Sequence, residues 1–289
     1  MKHFNGRVAV VTGGASGIGY ALVVKFLQLG MKVVAVDFNR EYIAEKEAAH
    51  SGRADLKFLE ADVGEREQVR RVAEETIGRF GKIHVLCNNA GGGGGGDTID
   101  PDFDAWDKAM RVNFGGVVNG VKIIAPLILK HAEGGHIVNT SSMAGIVSQP
   151  LAGLGAYQTA KFAVRGFTDS LRNSLAPFGV GVSCLCPGGT KTRIVEASVR
   201  GDDARVAAAR QLTASWLDPA KVADAVAEGI VSNAPYILTH IEFREEVREL
   251  GERLVAAFPK HQDVPPERAA FEAERRATLE RLRQMPVKD

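Results

Sequence analysis

Short apolar runs rich in valine recur along this chain, and a longer segment with helical periodicity follows each of them. In the first half these runs are Arg7 to Thr12, Lys32 to Asp37, Leu56 to Asp62 and Ile83 to Asn88. Strands that are apolar on both faces and alternate with helices are typical of a parallel sheet covered by helices on both sides. The pattern therefore predicts a doubly wound α/β fold and excludes all-α and all-β folds.

The same alternation continues through the second half of the chain. It predicts a helix from Phe103 to Lys130 with a bend near Pro126, a strand from His136 to Thr140, a helix from Ala156 to Phe178, a strand from Val180 to Cys186, a helix from Pro219 to Ser232 and a last strand from Tyr236 to Thr239. We expect one parallel sheet of about seven strands within residues 1–240. Residues 241–289 are rich in charge and predict a C-terminal helical extension, with helices from Glu242 to Phe258 and from Pro266 to Gln284.

Composition excludes several classes of partner. The chain has 36 Lys and Arg against 35 Asp and Glu, a formal net charge of +1. Such a balance gives no reason to expect nucleic acid or an anionic membrane as a partner. No uninterrupted apolar stretch is long enough for a membrane span. The three cysteines, Cys87, Cys184 and Cys186, lie in strand-like segments, so we expect buried reduced thiols, no metal site and a cytoplasmic protein.

A glycine-rich turn, Thr12 to Gly19, separates the first strand from the first helix. Glycines at this point of a βαβ unit let the backbone approach a pyrophosphate, which rests on the helix N-terminus. The turn therefore predicts a dinucleotide-binding sheet of the Rossmann type. The residues expected to contact the dinucleotide are Gly13, Ser16, Gly17, Ile18 and Gly19.

Acidic residues end the next two strands. A carboxylate at Asp37 can bind both hydroxyls of the adenosine ribose and repels a 2′-phosphate, which favours NAD over NADP. Arg40 follows closely, and it either serves a 2′-phosphate or pairs with Asp37 or solvent. Asp62 can bind the adenine edge, with Val63 behind the ring, or it can cap the helix that follows.

The fourth strand ends in Asn88-Asn89-Ala90-Gly91, at the edge of the sheet where ligands of doubly wound folds bind. We expect Asn89, Ala90 and Gly91 to contact the cofactor, while both asparagines also brace neighbouring strands. The run of consecutive glycines from Gly91 to Gly96 predicts a mobile loop.

Tyr157 and Lys161 lie one helical turn apart on the same face of a predicted helix. A free tyrosine has a pKa near 10, and a fixed cation nearby favours the phenolate. The pair can then exchange a proton with an alcohol or a carbonyl. Ser141 and Ser142 follow the fifth strand, and their hydroxyls can bind the substrate oxygen.

Taken together, these motifs resemble the short-chain dehydrogenase/reductase family over roughly Arg7 to Thr239. The resemblance adds Asn113 and Pro187-Gly188 to the motifs above. It implies that Tyr157 is the general acid/base, that Lys161 binds the nicotinamide ribose and lowers the pKa of Tyr157, and that Ser142 holds the substrate oxygen. It also implies that Asn113 positions a water beside Lys161. Cofactor contacts implied by the resemblance are Tyr157, Lys161, Pro187, Gly188, Thr190 and Thr192.

The chain departs from the simplest members in the glycine run, in Thr190, in extra residues between Ser148 and Gly155, and in its tail. The tail resembles that of bacterial enzymes that include the Cα-dehydrogenases of aryl ether breakdown. The resemblance also implies a homodimer or homotetramer.

Apolar residues fill the segments expected to border the substrate: Met143, Ile146, Val147, Pro150, Leu151, Leu154, Ile194, Val195, Val199, Leu212 and Trp216. They favour a hydrophobic secondary alcohol or ketone, of aryl, alicyclic or steroid-like type, although several can instead pack in the core. Lys191 and Arg193 either meet a substrate carboxylate or lie in solvent. The alternatives are a 3-oxoacyl thioester reductase, which usually prefers NADPH, and a nucleotide-sensing scaffold without catalysis.

Overall fold

The computed structural model describes residues 1–100, 102–150, 152–192, 207, 211 and 213–289. Its strands are β1 (Val8–Thr12), β2 (Lys32–Asp37), β3 (Leu56–Glu60), β4 (Val85–Asn88), β5 (Gly135–Thr140), β6 (Val180–Cys186) and β7 (Tyr236–Leu238). They form one 7-stranded sheet of order β3-β2-β1-β4-β5-β6-β7, and every neighbouring pair is parallel. The predicted doubly wound sheet is confirmed.

Helices connect these strands. They are α1 (Gly17–Gln28), α2 (Arg40–Ala49), α3 (Arg66–Phe80), α4 (Phe103–Met110), α5 (Gly116–Lys130), α6 (Gly155–Leu175), α7 (Pro219–Ser232), α8 (Arg244–Ala256) and α9 (Pro266–Gln284). A π-helical segment, Arg111–Gly115, joins α4 to α5. The bounds of β6, α7 and α9 are those expected, whereas β3 ends earlier, β4 begins later and α6 ends earlier, in the short 3₁₀ turn Ala176–Phe178.

Both faces of the sheet are buried. On β1, Ala9 and Val11 belong to a core cluster with Leu22 of α1 and Val226 of α7, whereas Val10 belongs to a second cluster on the opposite face, with residues of α3 and α5. Successive side chains of a strand point to opposite faces, so the unbroken apolar runs in the sequence fill two cores at once. The loops at the carboxyl ends of the strands remain free to build a site.

The long apolar helix expected from Phe103 to Lys130 is continuous, but its middle turn departs from α geometry at Arg111–Gly115 rather than near Pro126. By length and composition alone it could cross a membrane. Half of its apolar window is buried inside the protein, where Val121, Ile124 and Ile128 join the core beneath β4 and β5. Its hydropathy is therefore that of a core helix.

The C-terminal extension contacts the sheet domain at several places. Phe243, Val247 and Leu250 pack against a small cluster that contains Met143 and Cys184. The backbone N–H of Lys288 donates to the carbonyl of Gly179 at 2.9 Å. The division at residue 240 stays a prediction, and these contacts cross it.

Candidate active site

The candidate site lies where the strand order reverses, between β1 and β4, at the carboxyl ends of the strands. Thr12 joins the two loops that begin there. Its hydroxyl oxygen accepts the backbone N–H groups of Asn89 at 2.9 Å and Ala90 at 3.0 Å, and the Asn89 side chain donates to the Thr12 carbonyl at 3.0 Å. Asn89 thus braces the strands, and Ala90 is fixed beside the glycine turn.

The glycine turn has the close packing that a dinucleotide turn requires. Gly13 and Gly17 have φ of +65° and +51°, the left-handed region that favours glycine. A Cβ at Gly19 would lie 2.0 Å from the Gly13 carbonyl oxygen, so the first turn of α1 can only close on the loop with glycine there. Ser16 occupies the N-cap position but its side chain caps no N–H. The N-terminus of α1, including Ile18, therefore remains available to an anion such as a pyrophosphate.

Asp37 is almost completely buried at the end of β2, with a relative exposure of 6%. Its carboxylate accepts the backbone N–H of Ala15 and of Asn39, both at 3.1 Å. Burial raises the pKa of Asp37, and these hydrogen bonds lower it in part. Two backbone donors leave lone pairs on the carboxylate for ribose hydroxyls, since an ionised carboxylate has about four acceptor sites. Arg40 pairs with Glu60 and not with Asp37.

Asp62 and Val63 follow β3. The Asp62 carboxylate accepts the Gly64 N–H at 2.8 Å and pairs with Arg111 at 2.9 Å. It does not cap α3, whose N-cap residue is Glu65. Val63 is buried against Gly116, where a Cβ would lie 2.5 Å from a Val63 methyl group. A role of this pair toward adenine stays a prediction.

Asn113 lies in the π-helical segment and is buried. Its side-chain N–H groups donate to the carbonyls of Ala109 at 3.0 Å and Gly92 at 3.1 Å, and its oxygen accepts the Gly92 N–H at 3.2 Å. Single π turns inside α-helices are frequent at functional sites. Sequence periodicity did not reveal this segment, because the extra residue shifts the helix phase only locally.

Gly91 lies next to Asn113 and Lys161, the two residues that the resemblance connects through a water. A Cβ at this position would lie 2.7 Å from the Asn113 side-chain oxygen and 3.3 Å from the Lys161 ammonium nitrogen. Both side chains therefore face the same small volume. Only glycine leaves that volume open.

Tyr157 and Lys161 both lie on α6, as predicted. The Lys161 nitrogen is 5.5 Å from the centroid of the Tyr157 ring and donates to the Thr140 carbonyl at 3.1 Å. Burial lowers the pKa of Lys161 to about 8. Burial also raises the pKa of Tyr157, and a hydrogen bond with Ser142 offsets part of that rise. The protein alone therefore does not lower the phenol pKa, because removal from water penalises the phenolate as well as the ammonium.

The serine pair divides into two roles. Ser141 is buried, and its hydroxyl donates to the Lys161 carbonyl at 2.7 Å, which fixes α6 against the end of β5. Ser142 is partly exposed, hydrogen-bonds to Tyr157 and accepts the Ala144 N–H at 3.1 Å. Ser142 is thus the serine that can meet a substrate oxygen next to Tyr157.

The loop after β6 carries the remaining predicted contacts. The Gly188 N–H donates to Nδ1 of His240 at 3.0 Å, and the Thr190 hydroxyl donates to the Gly188 carbonyl at 3.2 Å. Thr192 lies against the glycine turn, since a Cβ at Gly17 would meet its methyl group at 2.8 Å. The sequence did not indicate a role for His240. Its position just after the last strand was the only signal that could have done so.

The end of the glycine run is closely packed at Gly95 and Gly96. Gly94, Gly95 and Gly96 have φ of +89°, +97° and +77°. A Cβ at Gly95 would lie 2.6 Å from the Cβ of Ala109 and 2.8 Å from that of Ala156, the residue before Tyr157. The Gly96 carbonyl accepts the Gly155 N–H at 3.0 Å. The loop therefore packs against the start of α6, and its mobility stays a prediction.

Of the eleven apolar residues expected to border the substrate, eight are in the core or lie outside the described residues. Met143, Ile146 and Val147 are buried in the cluster with Cys184 and Cys186, so they are core. The three cysteines are free and buried. Pro150 is exposed, and Leu154 and Trp216 are half-buried. Leu151, Arg193, Ile194, Val195, Val199 and Leu212 lie outside the described residues.

Among the described residues, one group could approach a metal ion: His84, His131 and Glu133, with ligand atoms within 4.8 Å of one another. Its imidazoles are already engaged. Nδ1 of His84 accepts the Val8 N–H at 3.1 Å and Nε2 faces the Glu133 carboxylate at 3.1 Å. In His131, Nδ1 accepts the Glu133 N–H and Nε2 donates to the Ile83 carbonyl. The group is therefore a hydrogen-bonded cluster at the amino ends of β1 and β4.

Comparisons with known proteins agree with this geometry. The family model described as short chain dehydrogenase matches residues 7–203. A C alpha-dehydrogenase from Sphingobium sp. strain SYK-6 is 31% identical, over 94% of this chain and 93% of its own. A short-chain dehydrogenase structure from Novosphingobium aromaticivorans has a TM-score of 0.84 at 34% identity and covers 99% of both chains. A short chain dehydrogenase/reductase from Burkholderia phymatum in complex with NAD has a TM-score of 0.80 at 34% identity, over 92% of this chain and 100% of the other.

Proposed function

This chain belongs to the short-chain dehydrogenase family and is an NAD-dependent oxidoreductase, and from that premise we propose that it oxidises a hydrophobic secondary alcohol, or reduces the matching ketone, with Tyr157 as acid/base. One observation carries the proposal. Tyr157, Ser142 and Lys161 converge at the carboxyl edge of the sheet, on the same edge as the open N-terminus of α1 and the buried carboxylate of Asp37.

The cofactor fit rests on the glycine turn. A side chain at Gly13 or Gly19 would collide with the loop after β4, and one at Gly17 would collide with Thr192. We propose that this cradle holds the pyrophosphate and that Asp37 holds the adenosine ribose. When bound, NAD supplies a hydride acceptor at its nicotinamide ring. A 2′-phosphate next to the Asp37 carboxylate would bring like charges together, which disfavours NADP.

In the proposed oxidation, Ser142 donates a hydrogen bond to the substrate oxygen and Tyr157 takes the hydroxyl proton. The C–H bond of the carbinol breaks with its electron pair, and the carbonyl forms. Lys161 stabilises the phenolate electrostatically. Asn113 holds a water in the volume that Gly91 leaves open, and this water passes the proton between Lys161 and solvent. Reduction reverses each step.

The substrate class is aryl, alicyclic or steroid-like. A relative that aligns along nearly the whole chain is named a C alpha-dehydrogenase, which supports an aryl carbinol first. Leu154 precedes Tyr157 by three residues, and the indole of Trp216 packs against Gly189; both side chains are half-buried and apolar. We also propose that the active form is a homodimer or homotetramer.

The test is reduction of NAD⁺ and NADP⁺ with a panel of secondary alcohols, including aryl carbinols and hydroxysteroids. Tyr157→Phe removes the phenol and keeps the ring, so turnover should fall at least a thousandfold with folding intact. Tyr42→Phe, on α2, is the matched control and should keep wild-type turnover. Equal turnover in Tyr157→Phe would refute the role of the phenol. Binding of NADH without turnover on any alcohol or 3-oxoacyl thioester would favour the scaffold.

A further inference from the structure

His240 follows β7 and hydrogen-bonds to the loop that follows β6. Its Nδ1 accepts the Gly188 N–H at 3.0 Å, and its Nε2 is 3.0 Å from the Gly189 carbonyl oxygen. A carbonyl can only accept, so Nε2 carries the ring proton and Nδ1 carries the lone pair. The Thr239 hydroxyl, 2.8 Å from Nδ1, donates to the same lone pair. One neutral imidazole therefore satisfies a donor and an acceptor of adjacent peptide groups.

The ring is packed against both the loop and the C-terminal extension. A Cβ at Gly188 would lie 2.7 Å from the imidazole, so the loop backbone packs directly on the ring. Phe243 meets the imidazole edge to face, with ring centroids 6.4 Å apart, and also lies close to Gly188. Phe243 in turn packs on the buried cluster around Met143 and Cys186. The imidazole thus couples the beginning of the C-terminal extension to the loop.

The same loop is tied to the catalytic serine at its other end. The Pro187 carbonyl accepts the Met143 N–H at 2.9 Å and lies 3.4 Å from the Ser142 hydroxyl. The Gly189 peptide packs under the indole of Trp216. If the imidazole is removed, the Gly188 N–H loses its acceptor, because Thr190 binds the Gly188 carbonyl and not its N–H. The Gly189 carbonyl keeps the Leu217 N–H at 2.9 Å.

We propose that His240 is a positioning residue that fixes the Gly188–Gly189 backbone against the nicotinamide half of the cofactor. The inference rests on the proposed function, because it assigns this loop to the nicotinamide. It predicts that His240 affects binding of the nicotinamide half and leaves binding of the adenosine half unchanged. A residue that only stabilised the fold would affect both halves alike.

The experiment compares the binding of NADH with that of ADP-ribose, which lacks the nicotinamide, by calorimetry on the full chain. In His240→Leu, which loses both hydrogen bonds, the Kd for NADH should rise about tenfold, and the Kd for ADP-ribose should stay within about twofold of wild type. His240→Asn keeps an acceptor in the place of Nδ1 and should recover about half of the loss on a logarithmic scale. In turnover assays, the KM for NAD⁺ should rise and kcat should fall, and both changes should be larger in His240→Leu than in His240→Asn.

Leu250→Ala is the matched control, because it weakens the packing of α8 on the same cluster without touching the loop. It should lower the melting temperature and leave both Kd values unchanged. If His240→Leu fails to fold, His240→Asn and His240→Gln carry the comparison. Equal weakening of NADH and ADP-ribose, or weakening of neither, would overturn the inference.

An independent reading comes from nitrogen NMR of the imidazoles in the protein without cofactor, with the His240 signals assigned by their loss in His240→Asn. The inference requires a proton on Nε2 and none on Nδ1. The opposite tautomer would overturn it. Absence of alcohol oxidation by the wild type would instead count against the proposed function, while the NADH and ADP-ribose comparison still decides the role of His240.

Discussion

Lys161 is charged at neutral pH although its side chain is almost completely buried, and its replacement by methionine should stabilise the protein. The side chain is buried, and the pKa falls from 10.5 to about 8 because the ammonium has lost its hydration. This drop corresponds to roughly 3 kcal/mol against the charged form at about 1.4 kcal/mol per pH unit. Lys161→Met loses the hydrogen bond to Thr140, which costs about 1 kcal/mol. The expected gain at pH 7 is about 2 kcal/mol.

The sign of the pH dependence follows from the same pKa. The native lysine loses its proton near pH 8 and the unfolded lysine near 10.5, so the unfolded state binds more protons between these values. Wild-type stability therefore rises with pH in that range, relative to a variant without the lysine. The advantage of Lys161→Met should shrink by about 2 kcal/mol between pH 7 and about pH 9.5 and nearly vanish there.

Urea denaturation of the protein without cofactor at pH 7, 8, 9 and 9.5 measures this difference. The control is Lys57→Met, on the exposed side of β3, which should stay within about 0.5 kcal/mol of wild type. Lys161→Met should also lose alcohol oxidation, so stability and activity move in opposite directions. A difference that is the same at pH 7 and pH 9.5, or a destabilised variant at pH 7, would refute the reasoning from burial.

Three further substitutions test the site. Gly95→Ala combines a φ of +97° with two Cβ contacts under 3 Å and should cost about 2–4 kcal/mol in urea denaturation, whereas Gly92→Ala, with open space around its Cβ, should cost less than about 0.5. Thr12→Val leaves two backbone N–H groups without their acceptor and should cost about 2–3 kcal/mol, whereas Thr12→Ser keeps the hydroxyl and should cost much less; an equal loss in Thr12→Ser would contradict the dominant role of the hydroxyl. Asp37→Ser should lower the ratio of kcat/KM for NAD⁺ to kcat/KM for NADP⁺ at least tenfold. An unchanged ratio would count against like-charge repulsion.

The order of strands and helices could be predicted from the sequence because it depends on local periodicity and glycine placement. Tyr157, Ser142 and Lys161 could be singled out because each follows a strand or lies on a helix face at a fixed spacing. The core position of Met143 could not be predicted, since it depends on helix α8, which is distant in the chain and packs over it. The hydrogen bond between His240 and Gly188 likewise joins segments that are distant in the chain. A single histidine after a strand does not by itself indicate which groups it will bind.

The packing of the glycine run, Gly91 to Gly96, also has a thermodynamic consequence. A glycine loses more backbone freedom on folding than any other residue, by about 0.5–1 kcal/mol relative to alanine. Ordering the run therefore costs several kcal/mol, which a few contacts must offset, among them the Gly96–Gly155 and Gly92–Asn113 hydrogen bonds. Segments that are ordered by few contacts open at a lower free energy than the core of a protein does. The amides of Gly92 and Gly155 should thus exchange with deuterium well ahead of those in β5, and each such opening would uncover the start of α6 without unfolding the sheet.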